Sequence, residues 1–314
     1  MEKIRVAAVV GPTAVGKSRL AAELALCFGG EIVSADSMQI YKGLEIGTAQ
    51  PSEAEKRGVP HHLIGFLDPM ESFSVADYIR LASDCIRDIH ARDRLPIVAG
   101  GTGLYVRSLL TNLRFAPQGR DEALRETLFR RAEQQGTQVL SEELRSFDPQ
   151  SAERIHPNDT GRLVRAIEIY RVTGVTMTEQ IERSRRMPPP YDVRAVGLSF
   201  RDRAKLYGAI NGRVDRMMEA GLLREAEKVF ALPASSTASQ AIGYKEFFPY
   251  FRGECSLAEA VEAVKRESRR YAKRQLTWFR RGAGIQWIFL DDWPDFHSVC
   301  RCAFGILKEG GWQP

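Results

Sequence analysis

One stretch near the start of the chain, VVGPTAVGKSRL at residues 9–20, limits the possible folds more than any other. It has the Gly-x4-Gly-Lys-Ser spacing of a phosphate-binding loop, with an apolar run before it and a helical pattern after it. Backbone N–H groups of such a loop point at a phosphate, and the helix N-terminus favours the anion. We therefore predict a phosphate cradle, with Lys17 supplying charge and the Ser18 hydroxyl available to Mg²⁺, formed by Gly11, Pro12, Thr13, Ala14, Val15, Gly16, Lys17 and Ser18.

Strand-like and helix-like segments alternate after this loop. Short apolar runs predict strands at residues 4–10, 31–36, 95–99, 193–200 and 285–290, and an amphipathic segment at residues 73–94 predicts a helix. Alternation of this kind predicts an α/β fold, with a P-loop NTPase-like parallel sheet flanked by helices.

The segment at residues 121–184 has only helical periods, and the proline-rich stretch MPPPYD follows it at residues 187–192. We predict an inserted all-helical domain at residues 118–190. The α/β core domain is then formed by residues 1–117 and 191–314, and it includes a basic helix near the C-terminus.

Composition narrows the cellular setting. The 314 residues carry a net charge of +5, and the five cysteines form no CxxC pair. An odd number of scattered cysteines is typical of a protein whose thiols stay reduced, so we expect a cytoplasmic protein. No apolar run is long enough to span a membrane and no coiled-coil pattern is present, so we expect no membrane partner and a monomer.

Two polar residues stand where predicted strands end. Asp36 is the last residue of the second predicted strand, and Thr102 follows the third within a glycine-rich turn. Ligands of doubly wound sheets bind at this edge, so Asp36 is a candidate metal ligand, helix cap or proton acceptor. Nucleoside triphosphatases usually add a strand that ends in an acid. The late segment IFLDD, with Asp291 and Asp292, fits that role poorly, which disfavours a motor or switch ATPase.

A basic helix is predicted at residues 262–281, EAVKRESRRYAKRQLTWFRR, with eight Lys or Arg and two Glu. Arg266, Arg270, Lys273 and Arg274 fall on one helical face, with aromatic residues between them. Such a run is either a solvated face or a surface for a phosphate backbone. A second basic set lies in or beside the helical insertion.

Eight segments in order then carry a resemblance. They are GPTAVGKS, SADSMQIYKGLEIGTA, VPHHLI, AGGTGLY, RIHPNDTGRLVRAIEIYRVTG, RVDRMMEAGLLREA, SQAIGYKEF and RRYAKRQLTWFR. The chain resembles the bacterial tRNA dimethylallyltransferases (tRNA isopentenyltransferases) from residue 11 to the end of the basic helix. The resemblance implies transfer of a dimethylallyl group from dimethylallyl diphosphate to N6 of the adenosine 3′ of the anticodon (position 37). The tRNAs would be those that read codons starting with U, and diphosphate would be released.

The resemblance also implies roles for individual residues. The glycine loop would hold the diphosphate, Asp36 would be the general base, and Thr102 and Arg213 would assist the leaving group. Contacts to the tRNA anticodon stem-loop would come from Asp36, Ser37, Met38, Gln39, Arg125, Asn158, Asp159, Arg162, Gln240, Ile242, Gly243, Tyr244, Lys245, Arg270, Lys273, Arg274 and Gln275. The implied cofactor is Mg²⁺.

Four positions depart from the usual family pattern. Gly65 stands where an acid is common, and Lys42, Glu45 and Gln50 replace Arg, Asp and Lys. Gln50 loses one charge, which we expect to weaken a tRNA contact slightly.

Three alternatives stay open. An enzyme that prenylates free AMP, ADP or ATP shares the glycine loop but does not need the basic helix. A P-loop nucleoside or small-molecule kinase would bind ATP in the loop. An ATP-regulated RNA-binding module would need no acid at Asp36.

Overall fold

The computed structural model describes residues 3–112, 121–233, 236–282, 284–309 and Trp312. Contacts divide the chain into two compact units: unit 1 comprises Met1–Leu110 with Pro190–Pro314, and unit 2 comprises Thr111–Pro189. The predicted first domain boundary, between residues 117 and 118, lies outside the described residues. The division into domains stays a prediction.

Unit 1 contains a six-stranded sheet in the order β3-β2-β4-β1-β5-β6. All neighbouring strands are parallel, which confirms the predicted α/β class. Strand β3 was not predicted, because two residues are too few to show a pattern. The strands are β1 (Ile4–Val10), β2 (Gly30–Ser34), β3 (His61–His62), β4 (Leu95–Gly100), β5 (Tyr191–Ser199) and β6 (Ile285–Phe289).

Helices flank the sheet in unit 1 and make up unit 2. In chain order they are α1 (Lys17–Phe28), α2 (Glu53–Lys56), α3 (Val75–Ala91), α4 (Gly103–Leu110), α5 (Glu122–Gln135), α6 (Gln138–Phe147), α7 (Pro149–Arg154), α8 (Thr160–Thr173), α9 (Met177–Arg185), α10 (Arg203–Glu219), α11 (Leu222–Phe230), α12 (Phe248–Phe251), α13 (Leu257–Arg280) and α14 (Phe296–Lys308). Short 3₁₀ turns occur at Ala238–Gln240, Lys245–Phe247 and Leu290–Asp292. None of the helices within the described residues combines the length and apolar character needed to cross a membrane.

Strand β1 is buried on both faces, as its continuous apolar run predicts. Ala7 and Val9 pack with α1 and α14, whereas Val6, Ala8 and Val10 pack with α3 and α4. Because helices cover both faces, the edge at the carboxyl ends of the strands is where a ligand can reach the backbone.

Unit 2 packs its five helices around a core of Leu128, Leu140, Leu144, Leu163 and Ile167. Its described residues contain no strand, in agreement with the helical periods in the sequence. A buried carboxylate, Asp148, caps α7 at Ser151 N and accepts from the Thr178 hydroxyl at 2.6 Å. These bonds keep the pKa of Asp148 low although burial opposes it.

Candidate active site

The glycine loop joins β1 to α1 and takes the shape of a phosphate cradle. Gly11 has φ +139°, and a Cβ there would overlap the Leu198 carbonyl oxygen. Gly16 has φ +79° and caps α1, while Ala14 occupies the left-handed region at φ +67°. Glycine is therefore required at both ends of the loop for backbone reasons. The loop residues Thr13, Lys17 and Ser18 line a cavity.

Lys17 is a half-buried cation inside this cradle. Its ammonium donates to the Pro12 carbonyl oxygen at 2.6 Å. Burial and, secondarily, the charge of Arg213 lower its pKa to about 7, and the carboxylate of Asp36 opposes them. A bound polyanion would favour the charged form of Lys17. Binding of such a ligand would therefore be coupled to the uptake of a proton by Lys17.

The Lys17 pKa gives a pH-dependent prediction. At pH 7 about half of the free protein carries a neutral Lys17, so binding of inorganic diphosphate should take up about 0.5 proton at this group. The uptake should vanish near pH 5, where Lys17 is already charged, and affinity should fall as pH rises above 7. Isothermal titration calorimetry in buffers of different ionisation enthalpy measures the uptake. Lys17→Met serves as the control for protons taken up by diphosphate itself, and an equal uptake in that variant would contradict the assignment.

Asp36 and Thr102 meet at the carboxyl edge of the sheet, as their positions after strands predicted. Strand β2 ends at Ser34, two residues before Asp36. Thr102 Oγ1 accepts from Ser37 N at 2.9 Å, and Thr102 N donates to the Ala35 carbonyl at 3.1 Å. The two segments that follow neighbouring strands are thereby joined into one wall of the site.

The Asp36 carboxylate uses one oxygen for local structure. Oδ1 accepts from Met38 N at 2.9 Å and from Gln39 N at 3.4 Å. Within the described part of the chain, Oδ2 has no hydrogen-bond partner. The carboxylate therefore stabilises the turn after β2 and caps no helix, and its second oxygen is left open to the cavity.

The cavity itself has a volume of about 360 Å³ and combines charged and apolar walls. Its polar side includes Asp36, Lys17 and Arg213, and the negative charge of Asp36 favours the charged forms of both cations. Burial lowers the pKa of Arg213, and Asp36 counteracts this. Its apolar lining comes from the loop after β2 and from α10 and α13, at Met38, Ile210, Val214, Met217 and Val264.

Sequence reasoning missed most of this apolar wall. Ile210, Val214 and Met217 recur at helical spacing beside Arg213, a signal that is visible in INGRVDRMM. Such a stripe normally marks core packing, so it did not identify a ligand wall by itself.

The basic helix α13 has two different faces. Arg270, Lys273 and Arg274 are exposed, with Arg270 paired to Glu267 at 2.6 Å and Arg274 placed over the Tyr271 ring. Tyr271 lines the cavity, and burial raises its pKa to about 12, so the phenol keeps its proton at neutral pH.

Gln275 belongs to the opposite, buried face of this helix. Only 5% of the residue is exposed, and its side-chain amide bonds two backbone groups of the site. The predicted contact of Gln275 with tRNA stays untested, but both polar atoms of its side chain already have partners inside the protein.

Two glycines of the GGTG turn lie directly against the same helix, α13. A Cβ on Gly101 would overlap the Gln275 amide, and a Cβ on Gly103 would overlap the Trp278 ring. The structure shows that these glycines give room to α13.

Tyr244, another predicted tRNA contact, is also a core residue in this structure. It is fully buried, and its hydroxyl donates to Glu225 Oε1 at 2.7 Å. The neighbouring predicted residues Gln240, Ile242, Gly243 and Lys245 do line the cavity, and Gln240 and Lys245 are exposed.

Glu225 anchors the loop at residues 45–47, which the sequence did not reveal. Its buried carboxylate accepts from Glu45 N at 2.8 Å, Ile46 N at 3.0 Å and Gly47 N at 2.7 Å, besides the Tyr244 hydroxyl. Gly47 itself and the two residues after it, Thr48 and Ala49, line the cavity.

We expect Glu225→Ala to lower the free energy of unfolding by about 2–4 kcal/mol, because several donors lose a charged acceptor. Tyr244→Phe removes only one of the four donors and should cost about 1 kcal/mol while leaving tRNA affinity unchanged. Urea unfolding with parallel tRNA titrations measures both quantities. A Tyr244→Phe protein of normal stability and weakened tRNA binding would support Tyr244 as a tRNA contact.

The four predicted tRNA contacts in unit 2 lie in different environments. Arg125 is partly buried and its guanidinium donates to the buried Glu168 at 3.0 Å; its contact with tRNA stays a prediction. Asp159 caps α8 through Arg162 N, which is a local role. Asn158 and Arg162 are exposed.

The structure also shows the surroundings of four further residues that the sequence analysis singled out. Asp291 accepts from Arg201 N and Asp202 N at 2.9 Å, and Asp292 pairs with Arg201, so both acids bind the segment that follows β5. Gln50 donates to the Tyr41 carbonyl at 2.7 Å and lies beside Gly65, where a Cβ would stand 3.1 Å from Gln50 Oε1. The two unusual residues are thus neighbours, and Gln50 is held within the loop by an internal bond.

Comparisons with known proteins bear on this site. The sequence profile described as IPP transferase matches residues 39–282, and one described as isopentenyl transferase matches residues 4–64. The tRNA dimethylallyltransferase of Caldanaerobacter subterraneus subsp. tengcongensis is 45% identical over 97% of this chain and 98% of its own.

Two solved structures are also similar to this chain. The full-length tRNA isopentenylpyrophosphate transferase from Bacillus halodurans has 43% identity and a TM-score of 0.71, covering 98% of each chain. A eukaryotic dimethylallyltransferase captured acting on tRNA has 29% identity and a TM-score of 0.83, covering 99% of this chain and 80% of its own.

Proposed function

The chain belongs to the IPP transferase family, and from this premise we propose that it transfers a dimethylallyl group from dimethylallyl diphosphate to a tRNA. The acceptor is N6 of the adenosine 3′ of the anticodon. The observation that carries the proposal is one cavity in which the Asp36 carboxylate faces the cations Lys17 and Arg213 beside an apolar wall. This arrangement suits an anionic leaving group, a proton to be removed and an apolar group to be transferred.

The leaving group is the diphosphate. As its oxygen departs from the allylic carbon, negative charge accumulates on the diphosphate, and preorganised cations and N–H groups stabilise it. Lys17, Arg213 and the glycine-loop amides supply these groups. The Thr102 hydroxyl, which lies in the turn after β4 and donates to Ser37 Oγ at 3.3 Å, is a further candidate donor to the diphosphate.

The proton comes from the adenine amine. The N6–C bond forms as the C–O bond breaks, and the amine must lose one proton to stay neutral. Asp36 accepts it through Oδ2 while Oδ1 keeps its backbone bonds. The apolar wall excludes water, which would otherwise capture the allylic carbon.

Mg²⁺ is part of the proposal as a cofactor. Among the described residues no group of three or more His, Cys, Asp or Glu side chains could hold a metal ion. The exposed Ser18 hydroxyl at the start of α1 and the nearby Asp36 offer hard oxygen ligands, and diphosphate oxygens would complete the shell. When bound, the ion would neutralise charge on the leaving group.

RNA binding is assigned to the exposed face of α13 and to the edge of the cavity at Gln240 and Lys245. An adenosine turned out of the anticodon loop needs a platform that offsets lost stacking, a cost of roughly a few kcal/mol. The Tyr271 ring beside the cavity and the Arg274 guanidinium over it offer such a platform. We further propose that the protein acts in the cytoplasm as a monomer. Its five cysteines are all free, which supports a reducing compartment.

Neutralising the exposed cations of α13 tests this surface. We expect Lys273→Gln with Arg274→Gln to weaken tRNA binding and to reduce the slope of log K against log salt by about 1.4, or about 0.7 for each lost contact. The charge-matched control is Lys205→Gln with Lys228→Gln, two exposed lysines that do not line the cavity. Fluorescence titration over a range of salt concentrations measures the slope, and equal slopes in both double variants would exclude this face.

The acceptor assay tests the function as a whole. Purified protein is mixed with radiolabelled dimethylallyl diphosphate, Mg²⁺ and either an anticodon stem-loop or AMP. We expect label in the stem-loop and none in AMP. Transfer to AMP alone would identify a free-nucleotide prenyltransferase. Phosphate transfer from ATP would identify a kinase, and RNA binding without any transfer would identify a binding module.

A further inference from the structure

One side chain of helix α13 bonds two separate segments of the phosphate site. Gln275 Oε1 accepts from Thr13 N in the glycine loop at 2.9 Å. Gln275 Nε2 donates to the Gly101 carbonyl oxygen in the turn after β4, also at 2.9 Å. The two segments belong to different strand ends, and this one amide spans them.

Chemistry fixes the orientation of this amide. Thr13 offers only a backbone N–H and Gly101 only a carbonyl oxygen, so the side chain must present an acceptor to one and a donor to the other. Glutamine does both, whereas glutamate would place oxygen against oxygen at Gly101, and methionine would serve neither. The missing Cβ of Gly101 leaves the space in which the amide sits.

From this geometry we propose that Gln275 is a positioning residue for the diphosphate. It acts through Thr13 and Gly101, and has no part in binding tRNA. The bond to Thr13 holds the first half of the glycine loop in the shape that cradles the anion. The bond to Gly101 holds the turn that directly follows Gly100, a residue that lines the same cavity. The inference rests on the proposed function in taking dimethylallyl diphosphate as the donor.

The position of Gln275 in the helix separates it from its neighbours. Lys273 and Arg274 are exposed, whereas Gln275 is almost fully buried. Loss of its amide should therefore disturb anion binding and leave the exposed basic face intact. A merely structural role would lower stability without changing diphosphate affinity in the folded protein.

The first test compares Gln275→Met with wild type. The variant should raise KM for dimethylallyl diphosphate about 10-fold and weaken inorganic diphosphate binding by a similar factor, while the Kd for an anticodon stem-loop changes less than about 2-fold. Steady-state kinetics, calorimetry and fluorescence titration give the three values at a temperature where urea and thermal unfolding show both proteins folded. Thr277→Ala is the control. Its exposed hydroxyl donates only to the Lys273 carbonyl of the same helix, so all three values should stay at wild type.

A second variant reaches the same contact from the other side. Gly101→Ala places a methyl group against the Gln275 amide and should reproduce the donor defect. In a Gln275→Ala background the methyl group has room, so the two changes should be strongly non-additive. This cycle keeps the test valid even where Gln275→Met is poorly stable.

The outcomes are distinct. Unchanged diphosphate affinity with weakened stem-loop binding would overturn the inference and make Gln275 a tRNA contact. Unchanged values for both ligands, or additive effects in the cycle, would also overturn it. If wild type itself transfers no dimethylallyl group, the proposed function fails, but diphosphate affinity and the Gly101 cycle still decide the positioning role.

Discussion

Asp36→Asn should lower kcat by about 10²–10⁴-fold, the contribution typical of a positioned general base. The change is nearly isosteric, and asparagine Oδ1 can still accept from Met38 N and Gln39 N, so the local turn should survive. What disappears is the carboxylate that takes the N6 proton. Single-turnover transfer to the stem-loop measures the loss, and fluorescence titration should give a stem-loop Kd within about 2-fold of wild type.

The matched control for this variant is Asp202→Asn. Like Asp36, Asp202 accepts from a backbone N–H two residues on, Ala204 N at 2.7 Å at the start of α10, but it lies outside the cavity. Its turnover should equal that of wild type. Normal turnover in Asp36→Asn would remove Asp36 as the base and leave it only its role in the turn.

The second large effect is expected from Lys17→Met, which keeps the apolar stem and deletes the ammonium. Because one donor to a developing oxyanion is worth about 3 kcal/mol, kcat/KM for dimethylallyl diphosphate should fall about 10²–10³-fold. The loss should concentrate in kcat, since charge on the leaving group is greatest in the transition state. Stem-loop affinity should not change.

Lys205→Met offers the control for Lys17, since it removes an exposed lysine that does not line the cavity. A Lys17→Met enzyme that loses only stem-loop affinity would show that the glycine loop serves RNA and not the donor. Raising the pH from 6 to 9 in wild type should reproduce part of the defect, because the pKa of Lys17 is lowered to about 7 by burial.

Much of this fold was predictable because its signals are local. The apolar run of β1, the glycine loop and the helical period of α1 follow one another within 25 residues (4–28), and each rests on neighbouring side chains. Asp36 and Thr102 could be placed at one sheet edge because parallel strands end together. Unit 2 was predicted as helical on the same kind of evidence.

The internal partners of three predicted tRNA contacts could not be predicted, because they lie far away in the sequence. Gln275 bonds Thr13 across 262 positions, Tyr244 bonds Glu225, and Arg125 bonds Glu168. Each of these polar residues sits in a motif next to exposed or cavity-lining residues, so its neighbours suggested a tRNA contact. How far each side chain is buried depends on the packed chain and cannot be seen from its neighbours in sequence.

The most direct test of the central claim uses an acceptor that differs by one amine. Wild-type protein is incubated with labelled dimethylallyl diphosphate and two anticodon stem-loops, one with adenosine 3′ of the anticodon and one with purine riboside in its place. We predict label in the first RNA, recovered after digestion as N6-dimethylallyl adenosine, and none in the second. Equal labelling of both RNAs, or label in neither while AMP is modified, would contradict the account.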